Sequence, residues 1–401
     1  MIDLILSLDY EIFGNGAGDV MRDIIEPTNR LLQICERHGA KLTIMFEVAE
    51  YWAFKQAEDK LDLAYSPAQA MAGQAQNAIR RGHDVQLHLH PQWIGAELKG
   101  GIWRVRTEQW SIADFPNSLG DDGDERFIMG ALSKGKHTLE SLLCPIESAY
   151  ECIAFRAGGF HIQPSRHVIA AMKAVGLLID SSVVQGLYVK SPRWCCDFRG
   201  AVSNYGYWWT SVNDVCRRGH EHEQILELPV YSRMQFYITN LRWSKLRAEL
   251  KRMKLESRYP DTIQQASGIR STYKISQILR KLASIHPVTL DFCKLDARTM
   301  VKAVEQIILT NGQSEDKTGQ SIPLVLIGHS KDFWNDEHLD NFLSKMQSFS
   351  THKGGIKFST FSDVAQKLGK IPETPAFNTK VDRTASKGIK SIEIQNNGEI
   401  V

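Results

Sequence analysis

Polar and apolar residues alternate one by one through Gly82-His83-Asp84-Val85-Gln86-Leu87-His88-Leu89-His90-Pro91. Asp84, Gln86, His88 and His90 fall on one side and Val85, Leu87 and Leu89 on the other, the period-two pattern of a β-strand. Short apolar segments recur at 2–9, 41–47, 152–157, 177–182, 225–230, 288–292 and 323–329, with a last one near 356–360. Helical periodicities lie between several of them. Asn29 to His38 places Leu31, Leu32, Ile34 and Cys35 on one face and stops at Gly39. His167 to Val175 stops at Gly176, and Ala297 to Leu309 stops at Asn311-Gly312. This alternation predicts parallel strands joined by helical crossovers. About eight such units predict an α/β fold, a distorted (β/α) barrel of seven to eight parallel strands, closed or nearly so, rather than a doubly wound sheet.

Two helical insertions interrupt the pattern within an expected barrel domain over 1–370. Residues 92–127 carry Trp93, Trp103 and Trp110 and the acidic run Asp121-Asp122-Gly123-Asp124-Glu125, which matches no complete calcium loop and reads as solvated. Residues 232–287 contain a basic helix, Leu241 to Leu255, with Trp243, Leu246, Leu250 and Met253 on one stripe. Docking of that stripe on the barrel is the expectation, and contact with a lipid surface or anionic glycan is the alternative. From 371 to 401 the composition turns polar and predicts a disordered tail. Gly14-Asn15-Gly16-Ala17-Gly18 lacks helix-opening spacing and reads as a mobile loop rather than a phosphate cradle.

Composition narrows the function. The 401 residues carry 48 basic and 46 acidic side chains, a net charge of +2, which gives no general reason to expect nucleic acid or a membrane surface as partner. The seven cysteines include no Cys-x-x-Cys pair, so neither a disulfide framework nor a structural zinc knuckle is expected. The N-terminal Ile2-Asp3-Leu4-Ile5-Leu6 reads as a buried strand rather than a signal peptide, and no apolar run reaches about 18 residues. A cytoplasmic protein without membrane insertion is the expectation; oligomeric state is not readable.

Polar residues then collect at strand ends. In the first strand Asp3, Ser7, Asp9 and Glu11 share a face, and the last two project from its end. Two such carboxylates repel each other, and a divalent cation relieves that. His88 and His90, at i and i+2 before proline, suit metal ligands or a hydrogen-bonded core pair. Arg156 ends an apolar strand before two glycines and suits a carboxylate clamp. Asp180 and His329 end two further strands. In a parallel barrel all these ends open on one mouth.

The set resembles the polysaccharide deacetylases of carbohydrate esterase family 4, which act on N-acetylated sugars, over most of residues 1–370. Ser7-Leu8-Asp9-Tyr10-Glu11 resembles the family's first, acidic motif, and Gly82-His83 with His88-Leu89-His90-Pro91 its second. Arg156-Ala157-Gly158-Gly159 looks like the third, Asp180-Ser181-Ser182 the fourth, and His329 the last. Two departures stand out. The family's paired aspartates are adjacent, whereas Tyr10 separates Asp9 from Glu11; its histidines stand four apart, whereas Gln92 occupies that position here.

The resemblance implies a metal-dependent amide hydrolase that removes N-acetyl groups from a saccharide. It implies Asp9 as base, Glu11, His88 and His90 as metal ligands, and His329 as general acid, with two alternatives: the roles of Asp9 and Glu11 exchanged, or both acids on the metal. Arg156 would hold Asp9 ionised, and Asp180 would pair with Arg156 or His329. Zinc is the implied ion, with cobalt or nickel as alternatives. The Trp-rich insertions and Tyr207-Trp208-Trp209 would offer a sugar platform or cover the barrel end. Two other functions stay open: hydrolysis of a non-sugar amide, cyclic amides included, and glycan binding without catalysis.

Overall fold

The computed structural model describes residues 1–60, 65–117, 123–191, 194–220, 225–236, 285–312, 321–349 and 355–368. The near-continuous apolar run at the N-terminus forms β1 (Ile2–Tyr10), buried along its whole length. A parallel strand covered on both faces needs such a run. The other strands are β2 (Leu42–Glu47), β3 (Asp84–Leu89), β4 (Glu97–Lys99), β5 (Ile102–Arg104), β6 (Ala154–Ala157), β7 (Ile179–Asp180) and β8 (Tyr188–Lys190). They continue with β9 (Cys195–Asp197), β10 (Trp208–Trp209), β11 (Leu226–Glu227), β12 (Ser232–Phe236), β13 (Ile285–Thr289), β14 (Ile322–His329) and β15 (Ile356–Phe358).

Nine strands form one curled sheet in the order β10-β11-β7-β6-β3-β2-β1-β14, with β15 alongside the first residues of β1. Only β10 runs antiparallel; the other eight are parallel. The helices α1 (Glu26–Arg37), α2 (Val48–Gln56), α3 (Pro67–Arg80), α4 (Ile128–Leu143) and α5 (Arg166–Ala174) follow the crossover pattern. Leu31, Leu32, Ile34 and Cys35 of α1 are buried, as their spacing predicts.

The sheet is an open half-barrel, which corrects the expectation of a closed or nearly closed one. Between β11 and β14, among the described residues, only isolated bridges form, Val230 with Val325 and Asp291 with Ile327. The expected strand at 288–292 is the reason. Residues 285–289 pair antiparallel with 232–236 in a separate ribbon, so the 288–292 segment meets β14 only through a single bridge at Asp291 before the helix Ala297–Gly312.

Asp3 anchors the opposite, N-terminal end of the sheet, where its carboxylate meets Lys367, Ser321 and Ser359. Trp93 and Trp103 pack edge to face with centroids 5.5 Å apart and are buried with Phe54. Trp208 is also buried, its indole N–H donating to the Val215 carbonyl. These three indoles belong to the core and offer no sugar platform. The basic helix at 241–255, Asp121 and Asp122 of the acidic run, and the tail at 371–401 lie outside the described residues. Among the described residues no helix is long and apolar enough to cross a membrane.

Candidate active site

Parallel strands direct all their C-terminal ends to one rim, and the register decides which side chains meet there. Asp9 on β1 is paired with His329 on β14; Glu47 on β2 is paired with His88 on β3, and His88 with Arg156 on β6. The structure therefore brings Asp9, Glu11, His88, His90, Arg156 and His329 together and adds Glu47.

Four of these side chains converge. One donor atom from each of Glu11, Glu47, His88 and His90 lies within 4.8 Å of all the others, and all four residues are buried. Glu11 Oε2 stands 3.0 Å from His90 Nδ1 and 3.3 Å from His88 Nε2. Glu47 Oε2 stands 2.8 Å from His90 Nδ1. Outer contacts fix three of the four. Lys331 Nζ donates to Glu11 Oε1 at 2.6 Å, the Ala49 amide donates to Glu47 Oε1 at 3.0 Å, and His88 Nδ1–H donates to the Arg156 carbonyl at 2.8 Å. Such partners orient a ligand and fix its tautomer. The His90 ring lies against Gly158, where an added Cβ would stand 2.5 Å from the ring. The small residues after Arg156 are thus required by a close approach.

Asp9 lies beside this cluster. Arg156 Nη1 donates to Asp9 Oδ1 at 2.5 Å, while Oδ2 is 3.6 Å from His329 Nε2 and 3.9 Å from His88 Nε2. Burial pushes the Asp9 carboxyl up, but Arg156, then His88 and His329, outweigh it and hold it ionised below the ordinary range. Arg156 is fully buried and also donates to the Ser181 carbonyl and to the Ser7 and Ser181 hydroxyls.

Asp180 is placed differently from expectation. Among the described residues it makes no hydrogen bond or ion pair with Arg156 or His329. It accepts from the Ser182 hydroxyl at 2.7 Å and faces Glu227, its register partner on β11. Burial, then the Asp180 charge, drives Glu227 well above the usual carboxylate range. Strand register, which selects Glu227 as the neighbour, explains the correction. The carboxylate beside His329 is Asp291, 3.3 Å from its Nδ1. Burial raises Asp291, but Lys294 and His329 bring it down to about 2.

Sequence reasoning missed Glu47, Asp291 and Lys331. Glu47 carried the same signal as the others, a polar residue ending an apolar strand, and Lys331 sits two residues beyond His329. The Gly82-His83 lead-in serves the fold: His83 Nδ1 accepts from the Leu42 amide and Nε2 lies 3.1 Å from Glu36.

Burial lowers the basicity of His90, but Glu11 and Glu47 more than reverse this and hold the metal-free imidazole protonated well above its ordinary range. Were His90 to hold a metal ion its ring would have to be neutral, so binding would expel this proton. Affinity for a divalent ion is therefore expected to fall with acidification, by about tenfold per pH unit where one proton is exchanged. Calorimetry in buffers of different ionisation enthalpy measures the proton directly. An affinity flat from pH 8 to 6, with no proton released, would contradict this electrostatic account.

No family model and no curated protein matches the sequence. Among solved structures, a probable polysaccharide deacetylase from Pseudomonas aeruginosa is 12% identical with a TM-score of 0.41, covering 91% of this chain and 90% of its own. An allantoinase is 11% identical with a TM-score of 0.42, covering 91% and 89%. A glycoside-hydrolase branching enzyme from Pyrococcus horikoshii is 12% identical with a TM-score of 0.44, covering 93% and 71%. At this distance function is decided by the chemistry of the site itself.

Proposed function

We propose that this chain is a metal-dependent hydrolase of amide bonds whose substrate is an N-acetylated saccharide. One observation carries this: a buried two-histidine, two-glutamate cluster flanked by a carboxylate and an imidazole whose nearest atoms, Asp9 Oδ2 and His329 Nε2, lie 3.6 Å apart. A divalent ion held by Glu11, Glu47, His88 and His90 would supply Lewis acidity and make water more acidic.

The chain's own groups do the rest. Asp9, kept ionised by Arg156, takes a proton at Oδ2 as water adds to the amide carbon. His329, oriented through Nδ1 by Asp291, delivers a proton to the departing amine nitrogen as the carbon–nitrogen bond breaks. The products are a carboxylate and an amine. Each positioned proton transfer contributes roughly 10²–10⁴-fold.

The test pairs metal analysis with a substrate panel. Purified protein is expected to bind one divalent ion per chain and to release acetate from N-acetylglucosamine oligomers. Turnover of cyclic amides with none of the oligomers would move the assignment to a non-sugar amide. Metal binding with glycan affinity but no hydrolysis would make the protein a binding module.

A further inference from the structure

Resting on the metal-hydrolase reading above, we infer that the centre is built for an ion of more than four coordination, of the manganese(II), iron(II) or cobalt(II) kind, and that zinc binds it in a closed, water-free form. Donor count carries the inference. Glu11 is arranged to offer one oxygen, Oε2, because Lys331 holds Oε1 on the other side, 2.6 Å away. Glu47 is arranged likewise, its Oε1 turned to accept the Ala49 amide at the start of α2. Each carboxylate is left one oxygen to offer. With one nitrogen from each histidine the chain supplies two nitrogens and two oxygens and no thiolate.

Zinc is satisfied by four tetrahedral ligands, and its catalytic sites leave one of those positions open by using three protein ligands. Four protein donors would fill it. An octahedral ion with the same donors keeps two positions. Asp9 and His329 stand beside the cluster, where groups that handle the protons of water and substrate are of use only if such positions exist. Carboxylate and imidazole donors also suit manganese and iron(II), while zinc binds such sites more tightly than manganese by the general affinity order.

Cobalt(II) reports coordination number by its visible absorption, weak for five or six ligands and intense for a tetrahedron, whether or not the protein turns over. The apo-protein loaded with one cobalt is expected to give the weak spectrum. It should bind one manganese by electron paramagnetic resonance, with an enhanced water-proton relaxation rate that marks inner-sphere water. Glu47→Gln is expected to lower manganese affinity by more than about tenfold, the least that even an outer partner of a ligand contributes. An intense tetrahedral cobalt spectrum, or manganese affinity unchanged in Glu47→Gln, would overturn the inference and leave the hydrolase assignment standing. If the wild-type chain binds neither cobalt, manganese nor zinc, the hydrolase assignment falls with it.

Discussion

Arg156→Leu will destabilise the protein by about 3–5 kcal/mol in urea unfolding, the range for removing one partner of a buried ion pair. An exposed pair would change stability by only ~0–1 kcal/mol. Burial decides between these magnitudes: Arg156 is fully enclosed and Asp9 nearly so, with 2.5 Å between Nη1 and Oδ1. The same change removes the guanidinium's hydrogen bonds to the Ser181 carbonyl and to the Ser7 and Ser181 hydroxyls, which keep only their bonds to the Leu326 and Leu228 carbonyls. Adding Asp9→Asn should recover a substantial part of the loss, because the uncompensated charge is then gone.

The pH dependence supplies an independent sign. In the wild type the depressed Asp9 pKa contributes stability present above the unfolded value and lost as pH falls through the folded one. Without Arg156 the largest cause of that depression is gone, so the variant should lose less stability than the wild type on acidification. A loss below about 1 kcal/mol with unchanged pH dependence would show that Asp9 is not held by this contact.

His329→Ala will keep metal affinity within about twofold while turnover falls roughly 10²–10⁴-fold, the usual contribution of one positioned proton donor. The split follows from geometry. His329 Nε2 faces Asp9 Oδ2 at 3.6 Å and its Nδ1 faces Asp291, whereas the four converging donors come from Glu11, Glu47, His88 and His90. The loss should appear in kcat, since in the proposed reaction the imidazole acts as the amine departs. Normal turnover would remove His329 from the reaction; parallel loss of metal would make it part of the ion's support.

Much of this was legible in the chain because strand periodicity and parallel topology are local rules with a global consequence. Once Ile2–Tyr10 and Asp84–Leu89 read as neighbouring types of strand, their polar ends had to share a rim. What escaped depends on register and on contacts between distant segments. Nothing in the spacing of Glu47 and His88 shows that they stand side by side. Asp180 ended a strand as expected, yet its acidic neighbour Glu227 lies on a strand whose pairing only the fold reveals. Asp291 reaches His329 from just after the antiparallel ribbon, where strand–helix alternation predicted an ordinary barrel strand.

Glu47 has one carboxylate oxygen capping α2 through the Ala49 amide and the other against His90. The first turn of that helix and the geometry of the cluster therefore share a single side chain. Whatever frays α2 at its start loosens a donor of the centre, and an ion seated in the centre would in turn hold the helix closed. Substitutions on the outer face of α2, touching neither ion nor substrate, thus become a dial for cation affinity, one that selection or an engineer can turn without altering a reacting group.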